Sequence, residues 1–148
     1  MIGRQDKLTK DNAGNAAVEF ALVAPLLCLL MMGMAYFGIA LNNYVVLTDA
    51  VAAGARNLSL SRGASTPYSS TTSLINNSAA GLTTASITVT VTVNGTACST
   101  DTACQTALNS AQGQQANVSA TYPCNLVVYG NNYAPSCTLS ASTTERVE

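Results

Sequence analysis

The sequence predicts an α+β protein: a long N-terminal transmembrane and stem helix followed by a small antiparallel β-sheet head. Three observations carry this expectation. Every residue from Phe20 to Leu41 is apolar or small, apolar residues then recur at three- and four-residue spacing to Leu58, and Ile87 to Val93 alternates apolar side chains with threonine. The corresponding divisions are a polar N-terminal segment at 1–14, a membrane helix and amphipathic stem at 15–60, and an exported head at 61–148.

The segment Phe20–Leu41 (FALVAPLLCLLMMGMAYFGIAL) is long enough to cross a membrane. At 1.5 Å per residue it spans about 33 Å as a helix, against about 30 Å for a bilayer core. Arg4, Lys7 and Lys10 precede it, and the next basic residue is Arg56, so the charge bias places the N-terminus in the cytoplasm. A secretory signal peptide has a similar order of basic start, apolar middle and small residues, here Ala52–Ala55. This apolar run is too long for one, and Glu19 is misplaced. Pro25 lacks an amide hydrogen, so a local kink is expected within the span.

Beyond the span, Tyr44, Leu47, Val51, Ala55 and Leu58 form an apolar stripe, with Asp49 and Arg56 seven residues apart on the opposite face. Residues 42–60 therefore read as an amphipathic extension. A turn-rich break runs from Ser61-Arg62-Gly63 to Pro67, and Leu74 to Ala80 is expected to form a short helix ending at Gly81.

The head then reads as strands. Ile87–Val93 is half-buried by its alternation and is stopped by Asn94-Gly95, a strong hairpin pair. Ala116, Val118, Ala120 and Tyr122 repeat the pattern, and Leu126–Tyr129 and Cys137–Thr143 supply two more candidates. A small antiparallel sheet packed on the upper stem covers all these apolar faces.

Five cysteines bear on compartment. Cys28 falls within the span and reads as a small apolar filler. Cys98, Cys104, Cys124 and Cys137 lie in the exported part, where thiols oxidise and a small domain gains most from cross-links. Four cysteines allow three pairings, of which local closure favours Cys98–Cys104 and Cys124–Cys137. A zinc site is the rival, but neither pair has the usual ligand spacing and the chain contains no histidine.

The most informative motif is Gly14-Asn15-Ala16-Ala17-Val18-Glu19-Phe20, which sets a lone carboxylate at the edge of the apolar segment. A charge entering hydrocarbon is costly and calls for a partner. Gly14 followed by Glu19 and Phe20 resembles the processing site of type IV pilin-like proteins. Ala24-Pro25-Leu26-Leu27, Gly33, Tyr36-Phe37-Gly38 and Ala52-Ala53-Gly54-Ala55-Arg56 extend that likeness to the TadE-like minor pseudopilins of the tight-adherence (Flp) pilus machinery. Ala120-Thr121-Tyr122-Pro123 and Leu139–Ser142 through Arg146-Val147-Glu148 look like that family's last strands.

The resemblance implies a pilin-like fold and cleavage after Gly14 by a prepilin peptidase. Asn15 becomes the new terminus, where many mature pilins have an apolar aromatic residue. It also implies that Glu19 meets the freed amine of a neighbouring subunit. The partners are then the peptidase, other pilin or pseudopilin subunits, the assembly platform and the membrane. The implied location is the bacterial inner membrane, with the head periplasmic and the chain open to incorporation into an extracellular pilus.

Composition sets outer bounds. A net charge of −1 gives no electrostatic case for nucleic acid. Between Gly63 and Thr144 Asp101 is the only charged residue, so this long Ser/Thr/Asn/Ala-rich region owes its solubility to hydroxyls and amides, as suits an exported surface. Without histidine there is no Ser-His-Asp or Cys-His arrangement, and Asp101 has no nearby carboxylate for acid–base pairing. No catalytic role, cofactor or metal is therefore expected. The alternative reading is a binding or adhesion module whose anchor stays uncleaved, and a periplasmic enzyme is a distant third.

Overall fold

The computed structural model describes residues 6–124, 127–128 and 130–148. A single helix, α1, runs from Asp6 to Ser59 and is unbroken at Pro25. The chain divides into two compact units, 1–39 and 40–148. In the first unit the described side chains from Gly14 onward are exposed, except for partial burial at Ala24 and Tyr36. Phe20, Leu22, Leu29, Met31, Met34 and Phe37 are each more than 60% exposed. An 18-residue window of this helix reaches a mean hydropathy of 2.2 with none of it buried. By length and composition the segment is able to cross a membrane.

The second unit holds the core. Helix α1 contributes Leu47, Ala50, Val51, Ala55 and Leu58, all fully buried. The expected stripe is thus the packed face of the helix, with one correction: Tyr44 is 45% exposed. Tyr44 lies before the core begins at Leu47, so the periodicity ran one turn beyond the packing.

Helix α2 spans Pro67–Ser78, seven residues earlier than the Leu74 start expected from sequence. Pro67 occupies the first turn, where its missing N–H costs nothing. Pro67, Thr71 and Ile75 face inward at four-residue spacing. The weak helix formers Tyr68 to Thr72 hid this turn from the sequence, and tertiary burial overrides their preference. Gly54 of α1 allows the two helices to approach closely: a Cβ there would stand 2.5 Å from Ile75 Cγ1 and 2.7 Å from Cδ1. Beside it, Asn57 Oδ1 accepts hydrogen bonds from Ser70 Oγ and Thr71 Oγ1, each 3.3 Å.

After a short 3-10 turn at Thr84–Ser86 come β1 (Thr88–Val93) and β2 (Thr96–Cys98), a hairpin closed by the expected Asn94-Gly95 turn whose second strand replaces the loop expected there. Asn94 (φ 49°) and Gly95 (φ 78°) are both left-handed, the requirement of a type I′ turn. Helix α3 (Asp101–Ser110) and strand β3 (Gln115–Pro123) follow. A two-residue pair, β4 (Val127–Val128) with β5 (Asn131–Asn132), forms a separate small ladder. The Leu126–Tyr129 expectation survives as Val127–Val128, its two end residues lying outside the described ones. The last strand, β6, covers Thr138–Arg146.

The main sheet is antiparallel throughout, in the order β2-β1-β3-β6. Val91, Val93, Ala116, Val118, Ala120 and Ala141 form its buried face. The other face carries Thr88, Thr90, Thr92, Asn117, Ser119, Ser140, Ser142 and Thr144, so period-two alternation selects which face meets the helices. The last residues are tied in by three bonds: Val147 N–H donates to Gln114 O at 2.9 Å, Val147 O accepts from Gly113 N–H at 2.8 Å, and Glu148 N–H donates to Ser59 O at 3.1 Å.

Candidate functional site

The Gly14–Glu19 segment lies in the first unit, within the regular backbone of α1. Gly14 is exposed, and no atom lies within 4 Å of where its Cβ would be. The Gly14–Asn15 peptide is therefore open on its glycine side. Asn15 and Glu19 are four residues apart, one turn or about 6 Å along the axis, and share a face. Both are exposed, and Glu19 is followed by the apolar run from Phe20. The site combines a small residue with open space around it and a carboxylate at the start of a long apolar surface.

The cysteines lie where local closure placed them. Cys98 is bonded to Cys104, with a Cα–Cα distance of 5.1 Å, and Cys124 to Cys137, at 5.2 Å. The first bond links β2 to α3, and both of its cysteines are buried in the core. The second closes the segment that carries β4 and β5. Cys28 is free and exposed on the apolar helix.

Asp101 has a role that sequence did not assign. Its Oδ1 accepts from Ser69 N–H at 2.8 Å and its Oδ2 from Ser69 Oγ at 2.5 Å. The hydroxyl and amide of Ser69 hold its carboxyl below the usual carboxylate value. Helix α2 has no side-chain cap from Thr66, so Asp101 supplies the missing acceptor from elsewhere in the chain. Asp101 also sits in the first turn of α3, where Thr100 Oγ1 accepts from Ala103 N–H at 3.3 Å. The available signal was Thr100-Asp101, a cap residue followed by an acid, before Cys104 and Leu108 at helical spacing.

The described residues of the head form shallow concavities. A groove of about 590 Å³ between α3 and the β1–β2 hairpin is lined by apolar residues such as Val93, Ala103 and Ala107 together with Thr and Ser residues, none of its lining side chains being titratable. A smaller one of about 230 Å³ includes Gln114, Gln115 and Arg146. Among the described residues no three His, Cys, Asp or Glu side chains cluster to hold a metal ion.

Residues 14–56 match the family model of TadE-like proteins. That match begins at Gly14 and ends at Arg56, covering the candidate site, the apolar helix and most of the packed stem. Comparison with curated proteins and with solved structures gives no match.

Proposed function

With residues 14–56 forming a TadE-like domain, we propose that this chain is a minor pilin or pseudopilin that takes part in assembling a tight-adherence (Flp) pilus for surface attachment. The observation that carries the proposal is the coincidence of that match with the open Gly14 and with Glu19 one turn beyond Asn15. A prepilin peptidase cuts after Gly14, leaving an amine at Asn15. The chain is held in the inner membrane by its apolar helix, N-terminus cytoplasmic and head periplasmic, until it joins other subunits at the assembly platform.

The chemistry of assembly follows from the charges. An isolated carboxylate or amine at the hydrocarbon boundary is disfavoured, and bringing opposite charges to about 4 Å gains on the order of 4 kcal/mol at an intermediate dielectric. Glu19 of an incoming subunit meets the freed amine of its neighbour, which sets their axial register. The head takes no part in bond-making chemistry. Its disulfides and capped helices keep a small domain folded outside the cytoplasm.

The test is a strain whose only copy carries Glu19→Ala. The variant is expected to insert, fold and form both disulfides, yet to be lost from sheared pili or to leave the strain bald. Normal piliation and surface attachment would remove the pairing role. A chain that keeps Met1–Gly14 and still supports attachment would favour the uncleaved binding module instead.

A further inference from the structure

Strand β6 is the long open edge of the main sheet. It pairs with β3 on one side, and among the described residues no strand lies on its other side. The direction of its backbone groups follows from the bonds at the ends of the ladder. Val147 N–H donates to Gln114 O and Cys124 N–H to Cys137 O, so even-numbered positions on the β3 side bond to odd-numbered positions on the β6 side. Gln115 O, by contrast, accepts from Asn94 N–H, toward β1. Alternation along the ladder then turns the N–H and C=O groups of Thr138, Ser140, Ser142, Thr144 and Arg146 away from the sheet. The side chains of these residues are exposed as well.

Open edges are normally guarded by proline, lysine, a bulge or a covering element. Here the register runs without interruption from Gln115 opposite Arg146 to Pro123 opposite Thr138, so β6 has no bulge. Its nine residues include neither proline nor lysine, and its charges, Glu145 and Arg146, stand at one end. An uncovered helix flank lies beside this edge. Helix α3 touches β1 and β2, α2 touches α3, and Gly54 and Asn57 of α1 face α2. Helix α1 is therefore the last of the helix layer on the β6 side, and the Glu148 N–H bond to Ser59 O brings the end of the chain to its last turn. At about 100° per residue, the flank of α1 turned away from α2 carries Val45, Thr48 and Ala52. Val45 is 54% exposed.

We propose that β6 takes up an extended, uncharged segment of a different protein as a fifth strand of the sheet. Main-chain bonds to the outward groups hold the segment, and its side chains at alternate positions select it. On the helix side they are apolar, beside Leu139 and Ala141 and over Val45 and Ala52; on the other side they are hydroxyls or amides, beside Ser140 and Ser142. From Thr138 to Thr144 the edge offers no ionic partner, so a charge on the helix side would be buried unpaired. A second copy of this chain fits the edge poorly. Antiparallel self-pairing of β6 needs a twofold axis normal to the sheet, which reverses the direction of residues 47–58 along it. Copies anchored in one membrane through α1 keep that direction. Parallel self-pairing fails by parity, because it sets each residue that bonds across opposite one that does not. The other edge, β2, is only three residues long. The proposal goes beyond the assembly reading and holds whether or not Gly14 is cleaved.

The test uses the full-length chain in lipid nanodiscs. The probe is a synthetic peptide with the uncharged, alternating sequence of Ile87–Val93, capped at both ends and kept soluble by a polyethylene glycol tail. At millimolar peptide, amide exchange is expected to slow by about tenfold or more at Ser140, Ser142 and Thr144, whereas Ala141 and Thr143 are already protected without it. Ser142→Pro removes an outward N–H and leaves the bonds to β3 in place, so it is expected to weaken binding by about tenfold or more while Ala141 and Thr143 stay protected. Ser142→Ala keeps the amide and is expected to bind as the wild type does. The natural occupant is read in cells whose only copy carries p-benzoylphenylalanine in place of Ser140. Irradiation is expected to join it to an uncharged segment of another protein, and Ser142→Pro to abolish that product. No slowing at millimolar peptide, equal binding by Ser142→Pro and the wild type, no photoproduct, or a photoproduct of two copies of this chain would overturn the proposal.

Discussion

Asp101 caps a helix that begins thirty-four residues before it: its two carboxylate oxygens accept the amide and hydroxyl hydrogens of Ser69, in the first turn of α2. The N-terminus of α2 carries unsatisfied amides and a partial positive charge, and its own cap residue, Thr66, makes no side-chain bond to them. The sole charged residue between Gly63 and Thr144 is thereby committed to joining α2 to α3.

A pH dependence follows from that contact. Ser69 lowers the folded-state pKa of Asp101 below its ordinary value of 3.8. The stabilisation is therefore fully present above the unfolded value and is lost as pH falls through the folded one. The protection of the Ser69 amide and the first turn of α2 against exchange, taken relative to the intrinsic rate at each pH, is expected to fall below about pH 4. Asp101→Asn should show fast exchange there at neutral pH and lose the acid dependence. Protection in Asp101→Asn that still falls with acid would assign the effect to another group.

Gly54 is expected to tolerate no larger residue well. Overpacking costs about 1–3 kcal/mol, and alanine returns about 1 kcal/mol of helix propensity. Gly54→Ala should therefore be destabilising by up to about 2 kcal/mol in denaturant titration of detergent-solubilised protein, and Gly54→Val by more. A second change, Ile75→Val, removes the Cδ1 that a Cβ at 54 would meet at 2.7 Å, and should recover part of the Gly54→Ala loss. Strict additivity of the two would show that the contact with Cδ1 is not what matters.

The two disulfides should differ in a direction opposite to their loop lengths. Sequence separations of 13 and 6 give about 3 and about 2 kcal/mol by loop entropy, favouring Cys124–Cys137 as the stronger staple. Cys98 and Cys104, however, lie in the core, at 4% and 0% exposure. Serine there would bury hydroxyls in an apolar site, at about 1–3 kcal/mol each. The paired change Cys98→Ser with Cys104→Ser is therefore expected to lower the head's denaturation midpoint more than Cys124→Ser with Cys137→Ser. A lower midpoint for Cys124→Ser with Cys137→Ser would mean that chain entropy alone decides.

The parts of the fold legible in the sequence were those with a strict period and a clear stop. The stem face from Leu47 to Leu58, the Ile87–Val93 strand and the Asn94-Gly95 turn each carry one dominant signal. The hidden parts were the first turn of α2, strand β2 and helix α3. Their residues, such as Tyr68–Thr72 and Thr102–Ala107, include many Ser and Thr of weak helix preference, and the helices are decided by the burial of Thr71, Ile75, Cys104 and Leu108. At the candidate site, Gly14 and Glu19 were visible because a lone charge beside an apolar run is costly. Asp101 was not, because its partner Ser69 is distant in the chain and no local pattern joins them.

The most direct measurement is the intact mass and N-terminal sequence of the protein recovered from membranes and sheared pili in a host with an active prepilin peptidase. The account predicts a chain that begins at Asn15, and a Gly14→Trp variant that inserts normally but keeps its leader. A wild-type chain that retains Met1–Gly14 in such a host would contradict it.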